Sequence, residues 1–249
     1  MIKLRRTDTT AIIELARGKG NALDTSFLEE IRATFAGLRD DLPRGVVLTA
    51  EGNIFCAGLD LLALAEIDRD GLVGLVSALV ATMREIFSFP RPVVAAINGH
   101  AMAGGALLSL ACDQRMMVMG EGKWGLTEAQ MGLVVPASLV EMTRYSLPRP
   151  VLEKLLYGGQ AYPAFKVREM GVLDDLVEHY DLLSEAEAVI EAWTPVPAAF
   201  GDIKARLKGP TLAAMDLVAD RDKEFVDRWF SPAVRQRIQA AVARLTDRG

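Results

Sequence analysis

The chain switches between two hydrophobic patterns. Apolar runs of strand length occur at 45–50 and 93–97, and such runs suit strands buried on both faces of a sheet; 113–119 reads as a further strand. Between them, apolar residues recur three and four positions apart. Phe27, Leu28, Ile31, Phe35 and Leu38 predict a helix over 26–39, with Asp24 or Thr25 as its cap. Leu72, Leu75, Val76, Leu79, Val80, Met83, Ile86 and Phe87 predict another over 70–88, closed by Pro90 and Pro92. Residues 1–16 read as two strands, and shorter strands are expected at 123–126 and 172–177. Further helices are expected at 137–146, at 150–157 and from 162 to a stop at Gly171. Strand and helix alternate, which implies crossover connections and a largely parallel sheet, an α/β fold.

From about 181 the pattern is helical only. Helices are expected over 182–193, 198–207, 212–230 and 233–245, with Pro195, Pro197, Pro210 and Pro232 separating them. The division this suggests is an α/β core over 1–180 and a helical region over 181–249. Phe225, Trp229, Phe230, Val234, Ile238, Val242 and Leu245 need a surface to cover them, either the chain's own core or another subunit.

Composition narrows the function classes. At 249 residues and 51% hydrophobic content, the chain suits a globular protein of one large domain or one domain with an appendage. Net charge is −5 and no run of five basic residues occurs, which argues against nucleic acid as a partner. Neither a membrane-length apolar run nor a signal-type start is present, so no membrane association and a cytoplasmic location are expected. Cys56 and Cys112 point to a reducing compartment and read as small buried thiols. His100 and His179 are the only histidines and no Cys-x-x-Cys occurs, so no metal site is expected. Dinucleotide, P-loop and Gly-x-Ser-x-Gly signatures are absent.

Two loops and one acid remain. In the stretch 97–113, Gly99, Ala103, Gly104 and Gly105 make a small-residue turn between a strand and a helix. A helix opening there aims unpaired N–H groups and its positive end at whatever lies above. A tight turn in any α/β protein is the plainer reading. Ala57-Gly58-Leu59-Asp60 is a second loop of this kind, and Glu128 lies in the segment 125–133. One N–H from each loop can converge on a single oxygen, while a carboxylate moves protons on the adjacent carbon. On residues alone, that enolate chemistry is one hypothesis beside a solvated Glu128. Asp60, Asp113 and His100 read as structural, and Trp124 as packing. Glu121, Glu141 and Glu153 are candidate reserve acids for a cleft, which the sequence does not place. Met116, Met117, Met119, Met131 and Met142 are either core or the lining of an acyl tunnel.

Five segments, in order, resemble the crotonase (enoyl-CoA hydratase/isomerase) superfamily. They are Asn21-Ala22-Leu23, the run Phe55 to Leu61, the run Asn98 to Gly105 continuing to Ala111-Cys112-Asp113, Gly125 to Glu128 with Met131-Gly132-Leu133, and Met170 to Asp174. The resemblance implies a spiral of ββα units in two sheets, followed by a helical trimerisation region. It implies an acyl-CoA thioester substrate in fatty-acid metabolism and a homotrimer or hexamer. No separate cofactor is implied, because coenzyme A is part of the substrate. The thioester carbonyl would sit between the N–H groups of Leu59 and Gly104. Coenzyme A would run past Arg17, Lys19 and Ala22 and past Phe55, Ala57 and Leu61, and Arg244 would reach a neighbour's coenzyme A. Hydratases of this family carry two glutamates; here the first position is Leu107 and the second is Glu128. Leucine neither orients water nor moves a proton, whereas one carboxylate is enough for a 1,3-proton shift. The reading is therefore a Δ3,Δ2-enoyl-CoA isomerase with Glu128, Leu59 and Gly104 at its centre. A hydratase-like or other crotonase enzyme and a non-catalytic protein that binds CoA thioesters are the alternatives.

Overall fold

The computed structural model describes residues 1–18 and 20–246. Among them the elements run β1 (Ile2–Arg6), β2 (Thr10–Leu15), α1 (Thr25–Gly37), β3 (Gly45–Ala50), β4 (Ile54–Cys56), α2 (Arg69–Phe87), β5 (Val93–Ile97), β6 (His100–Met102), α3 (Gly104–Ala111), β7 (Gln114–Val118) and β8 (Lys123–Gly125). They continue as α4 (Ala137–Ser146), α5 (Arg149–Gly158), β9 (Tyr162–Pro163), α6 (Ala164–Glu169), β10 (Asp175–Val177), α7 (Leu182–Trp193), α8 (Pro197–Leu217), α9 (Lys223–Trp229) and α10 (Pro232–Thr246). A 3-10 turn, Glu128–Met131, follows β8.

The strands form two sheets, ordered β1-β2-β3-β5-β7-β10 and β4-β6-β8-β9. Pairing is parallel except for β1 with β2 and β8 with β9. Each of β3–β4, β5–β6 and β7–β8 places one strand in each sheet, so the buried runs β3 and β5 lie at the centre of the larger sheet and the smaller sheet is built from pieces of two or three residues. Of those pieces, β4 and β6 were not expected from the sequence. Three residues are too few to show an alternation.

Local chemistry explains the long helices. The Asp24 carboxylate caps α1 by accepting from Phe27 N–H at 2.8 Å, and Asp68 caps α2 by accepting from Gly71 N–H at 2.8 Å. The C-terminal region departs from expectation in two places, one of them a 3-10 turn, Ala219–Asp222, that interrupts the helix expected over 212–230. At the other, Pro210 does not divide the region; α8 runs through that proline for 21 residues. Proline forfeits one intrahelical hydrogen bond, and tertiary contacts hold the helix on both sides of it. Lys204 and Lys208 bind Asp113, and further along Arg84 pairs with Asp216 at 2.8 Å.

The region past 181 packs most of the apolar residues singled out in it against this chain's own core. Leu182, Ala186 and Ile190 of α7 pack on one face of the larger sheet with Ile12, Val47 and Val94. Phe225, Trp229, Val234 and Ile238 join the main core on the other side, whereas Leu245 stays exposed. Cys56 and Cys112 are free and buried, and burial pushes both thiols up to about 12, out of reach of thiolate chemistry.

Candidate active site

Three adjacent parallel strands, β4, β6 and β8, each end in one of the residues singled out in the sequence. Leu59 follows β4, Gly104 follows β6 and Glu128 follows β8. The carboxyl ends of parallel strands are where open α/β sheets bind ligands. All three residues line one cavity of about 220 Å³.

The two loops touch. Gly58 has φ +91°, and a Cβ there would lie 3.0 Å from Met102 O and 3.4 Å from Gly104 N. Only glycine combines that dihedral with that approach. Leu23 N–H donates to Gly58 O at 2.8 Å and Asp60 N–H to Leu23 O at 2.9 Å, a parallel bridge that turns the N–H of Leu59 to the opposite side. Across from it, Ala103 takes φ +49°, strained for a residue with a side chain, and α3 begins at Gly104 without a side-chain cap. Among the described residues neither the Leu59 nor the Gly104 N–H donates a hydrogen bond. Two free amides on touching loops form a donor pair suited to an oxyanion.

Glu128 lines the same cavity as this pair. Ala103 N–H donates to Gly125 O at 2.8 Å, and Trp124 Nε1 donates to Ser109 Oγ at 2.9 Å, so α3 and the strand leading to Glu128 are joined twice. The 3-10 turn is braced by Gln130 Nε2 donating to Gly158 O at 2.7 Å and by Leu133 N–H donating to Glu128 O at 3.0 Å. Glu128 as a residue is half-buried, but its Oε2 is shut off from solvent and has no hydrogen-bond partner among the described residues. Burial pushes its carboxyl up to about 7. A carboxyl poised there exchanges protons readily near neutrality.

The rest of the wall is apolar except for Thr127 and the indole N–H of Trp229, and among the described residues Glu128 is its only titratable group. Leu107, 1% exposed, stands where a hydratase's first acid is expected. Ala57, Leu61 and Met131 also line the cavity. Of the other residues assigned to coenzyme A, Arg17 is bound by Asp24 and lies over the Phe27 ring at 5.2 Å, so its charge is already neutralised. Phe55 is fully buried, leaving only its backbone to face a ligand. Ala22 is half-buried, Arg244 is exposed on the last turn of α10, and neither lines the cavity; Lys19 lies outside the described residues.

The structural readings of the remaining residues hold. Asp60 Oδ1 accepts from Ala63 N–H at 3.0 Å, and His100 Nδ1 accepts from Lys123 N–H at 3.2 Å. Glu141 and Glu153 pair with Arg144 and Arg149, and Glu121 is exposed, so none is a reserve acid in this cavity. Met116, Met117 and Met142 are core, and Met119 is exposed. Leu79, Phe225 and Trp229 were not foreseen as site residues. Phe225 and Trp229 were visible in the sequence only as apolar positions in need of a surface.

A family model described as enoyl-CoA hydratase/isomerase matches residues 5–238. The chain belongs to that family. It is 27% identical to human "Enoyl-CoA delta isomerase 1, mitochondrial" over 95% of this chain and 80% of that protein. It is 32% identical to the carnitinyl-CoA dehydratase of Proteus mirabilis over 76% of this chain and 73% of the relative. The crystal structure of human mitochondrial Δ3,Δ2-enoyl-CoA isomerase superposes with a TM-score of 0.92 at 26% identity, covering 99% of this chain and 98% of that one. The family and the crotonase fold are thus shared with enzymes of more than one reaction. Among the described residues no helix is long and apolar enough to cross a membrane, and no cluster of metal-ligating side chains occurs.

Proposed function

We propose that this protein is an enoyl-CoA isomerase that moves a 3-enoyl-CoA double bond to the 2-position. The observation that carries the reading is the cavity's single acid: Glu128 faces it, and Leu107 occupies the other position from which an acid would act. The thioester carbonyl oxygen takes the N–H groups of Leu59 and Gly104. The Glu128 carboxylate removes a proton from C2, and the electrons of that C–H bond pass into a dienolate whose negative oxygen the two amides hold. The protonated Glu128 then returns the proton at C4, so C3=C4 becomes C2=C3 with no atom gained or lost. Hydration needs a group to activate water as well as one to protonate carbon, and Leu107 offers neither.

The test is a pair of spectroscopic assays, one with trans-3-hexenoyl-CoA and one with crotonyl-CoA. Rapid conversion of the first with negligible hydration of the second is expected. Glu128→Gln should abolish turnover while saturated hexanoyl-CoA still binds. Hydration at a comparable rate would overturn the argument from Leu107, and binding without any turnover would favour a non-catalytic protein that binds CoA thioesters. The same family resemblance supports a homotrimer or hexamer, and the two free, buried cysteines support a reducing compartment such as the cytoplasm.

A further inference from the structure

The acyl pocket is bounded by residues from the far end of the chain. Beyond the two amides and Glu128, its wall includes Leu79 of α2, Leu107 of α3, Leu133, Pro136, and Phe225 and Trp229 of α9. The two aromatic rings are buried and tilted against each other at 6.0 Å between centroids. Their helix is tied back to α2 by Arg69, which pairs with Asp227 at 2.7 Å. This wall is part of the packed core and is not a loop free to move aside.

Space inside is small. A cavity of about 150 Å³ holds one benzene ring, or about 25 Å³ for each carbon, so the 220 Å³ here has room for about nine heavy atoms. The carbonyl carbon, its oxygen and the sulfur fill part of that room. Given the acyl-CoA isomerase reading on which it rests, we propose that the pocket selects acyl chains of about six to eight carbons, and that Phe225 and Trp229 set the limit. A longer chain would leave its end in water, where added methylenes gain no affinity, or would displace a packed ring at a cost. Trp229 gives a usable handle. Its Nε1 has no acceptor among the described residues, so Trp229→Phe gives up no hydrogen bond while it vacates part of the wall.

Binding of saturated acyl-CoAs, from butanoyl to hexadecanoyl, to the full-length protein by calorimetry tests the limit apart from catalysis, since these thioesters have no double bond to move. Affinity should rise up to hexanoyl to octanoyl and gain nothing further, or fall, through hexadecanoyl. In Trp229→Phe that limit should move about two carbons longer, and in Phe225→Leu in the same direction. Affinity that climbs steadily through hexadecanoyl, or that gains nothing over free coenzyme A at any length, overturns the proposal. So does an unmoved limit in a variant whose circular dichroism is native. The wild-type profile needs no variant to fold. A clear length limit without turnover of any 3-enoyl-CoA would sink the isomerase reading alone. Equal turnover of 3-hexenoyl- and 3-hexadecenoyl-CoA would sink the length limit alone.

Discussion

Glu128 is the residue whose chemistry and cost are both readable. Its carboxyl is shut off from solvent without a partner, and burial moves it from the usual carboxylate value of 4.5 up to about 7. The base must be ionised to take a proton, so kcat/KM should rise with pH and level off above an apparent pKa near 7. A flat profile between pH 5 and about 8 would remove Glu128 from the role of base. The same shift carries a stability cost of known sign. Between pH 4.5 and 7 the folded protein holds a proton that the unfolded chain has lost, so stability falls as pH rises through that window. The full shift corresponds to about 3 kcal/mol. Glu128→Gln should therefore unfold at higher urea near pH 8, by about 2–3 kcal/mol, with the gain vanishing near pH 4. A gain independent of pH would mean that the wild-type carboxylate is not the source of the cost.

At the scale of elements, the site depends on how closely α3 approaches β4. A Cβ on Gly105 would stand 2.2 Å from Cys56 O, a backbone atom that cannot step aside without moving the Leu59 loop. Gly105→Ala should thus separate the two amides, lowering kcat/KM about 100-fold, because donors and base act only in register, and costing about 1–3 kcal/mol of stability. Gly74→Ala is the matched control. A Cβ there meets nothing within 4 Å on the exposed side of α2, so it should stabilise by about 0.5–1 kcal/mol and leave kcat/KM unchanged. Comparable activity losses in both would show that the approach of α3 to β4 is not what aligns the site. The glycines of this turn were legible in the sequence, as were the long strands β3 and β5 and helices α1 and α2, because period and capping residues reported them. Strands β4 and β6 were not. They are too short to carry a pattern, although they are the elements that aim the two amides.

Across the whole molecule, the α/β part does not complete the site alone. Phe225 and Trp229 come from α9, and α10 backs the Glu128 turn through Arg237 and Val234 against Gly132. The sequence showed that these helices had apolar faces to cover but not what would cover them, since a pairing between distant segments leaves no local period. It also misplaced a break at Pro210, because the contacts that hold α8 through the proline are tertiary. The chief such contact is Asp113. Its carboxylate accepts from Lys204 Nζ at 2.6 Å, from Lys208 Nζ at 2.7 Å and from Val93 N–H at 2.8 Å, with all three side chains less than a tenth exposed. Lys208 also lies over the Phe87 ring at 4.0 Å. Two ammonium groups share one carboxylate, and burial accordingly pulls Lys204 down to about 8. The partners are therefore not equivalent. Removing Asp113 strands two buried cations and frees α8 from β5, which should cost about 3–5 kcal/mol in urea unfolding for Asp113→Ala. Lys204→Met leaves a one-to-one pair with Lys208 and should cost about 1 kcal/mol or less. Because α8 is joined to α9 by only a short 3-10 turn, Ala219–Asp222, Asp113→Ala should also weaken binding of hexanoyl-CoA more than binding of free coenzyme A. Equal stability losses in the two variants would show that Asp113 is not the shared anchor. An unchanged preference for the acylated ligand would show that α9 holds the pocket wall without help from α8.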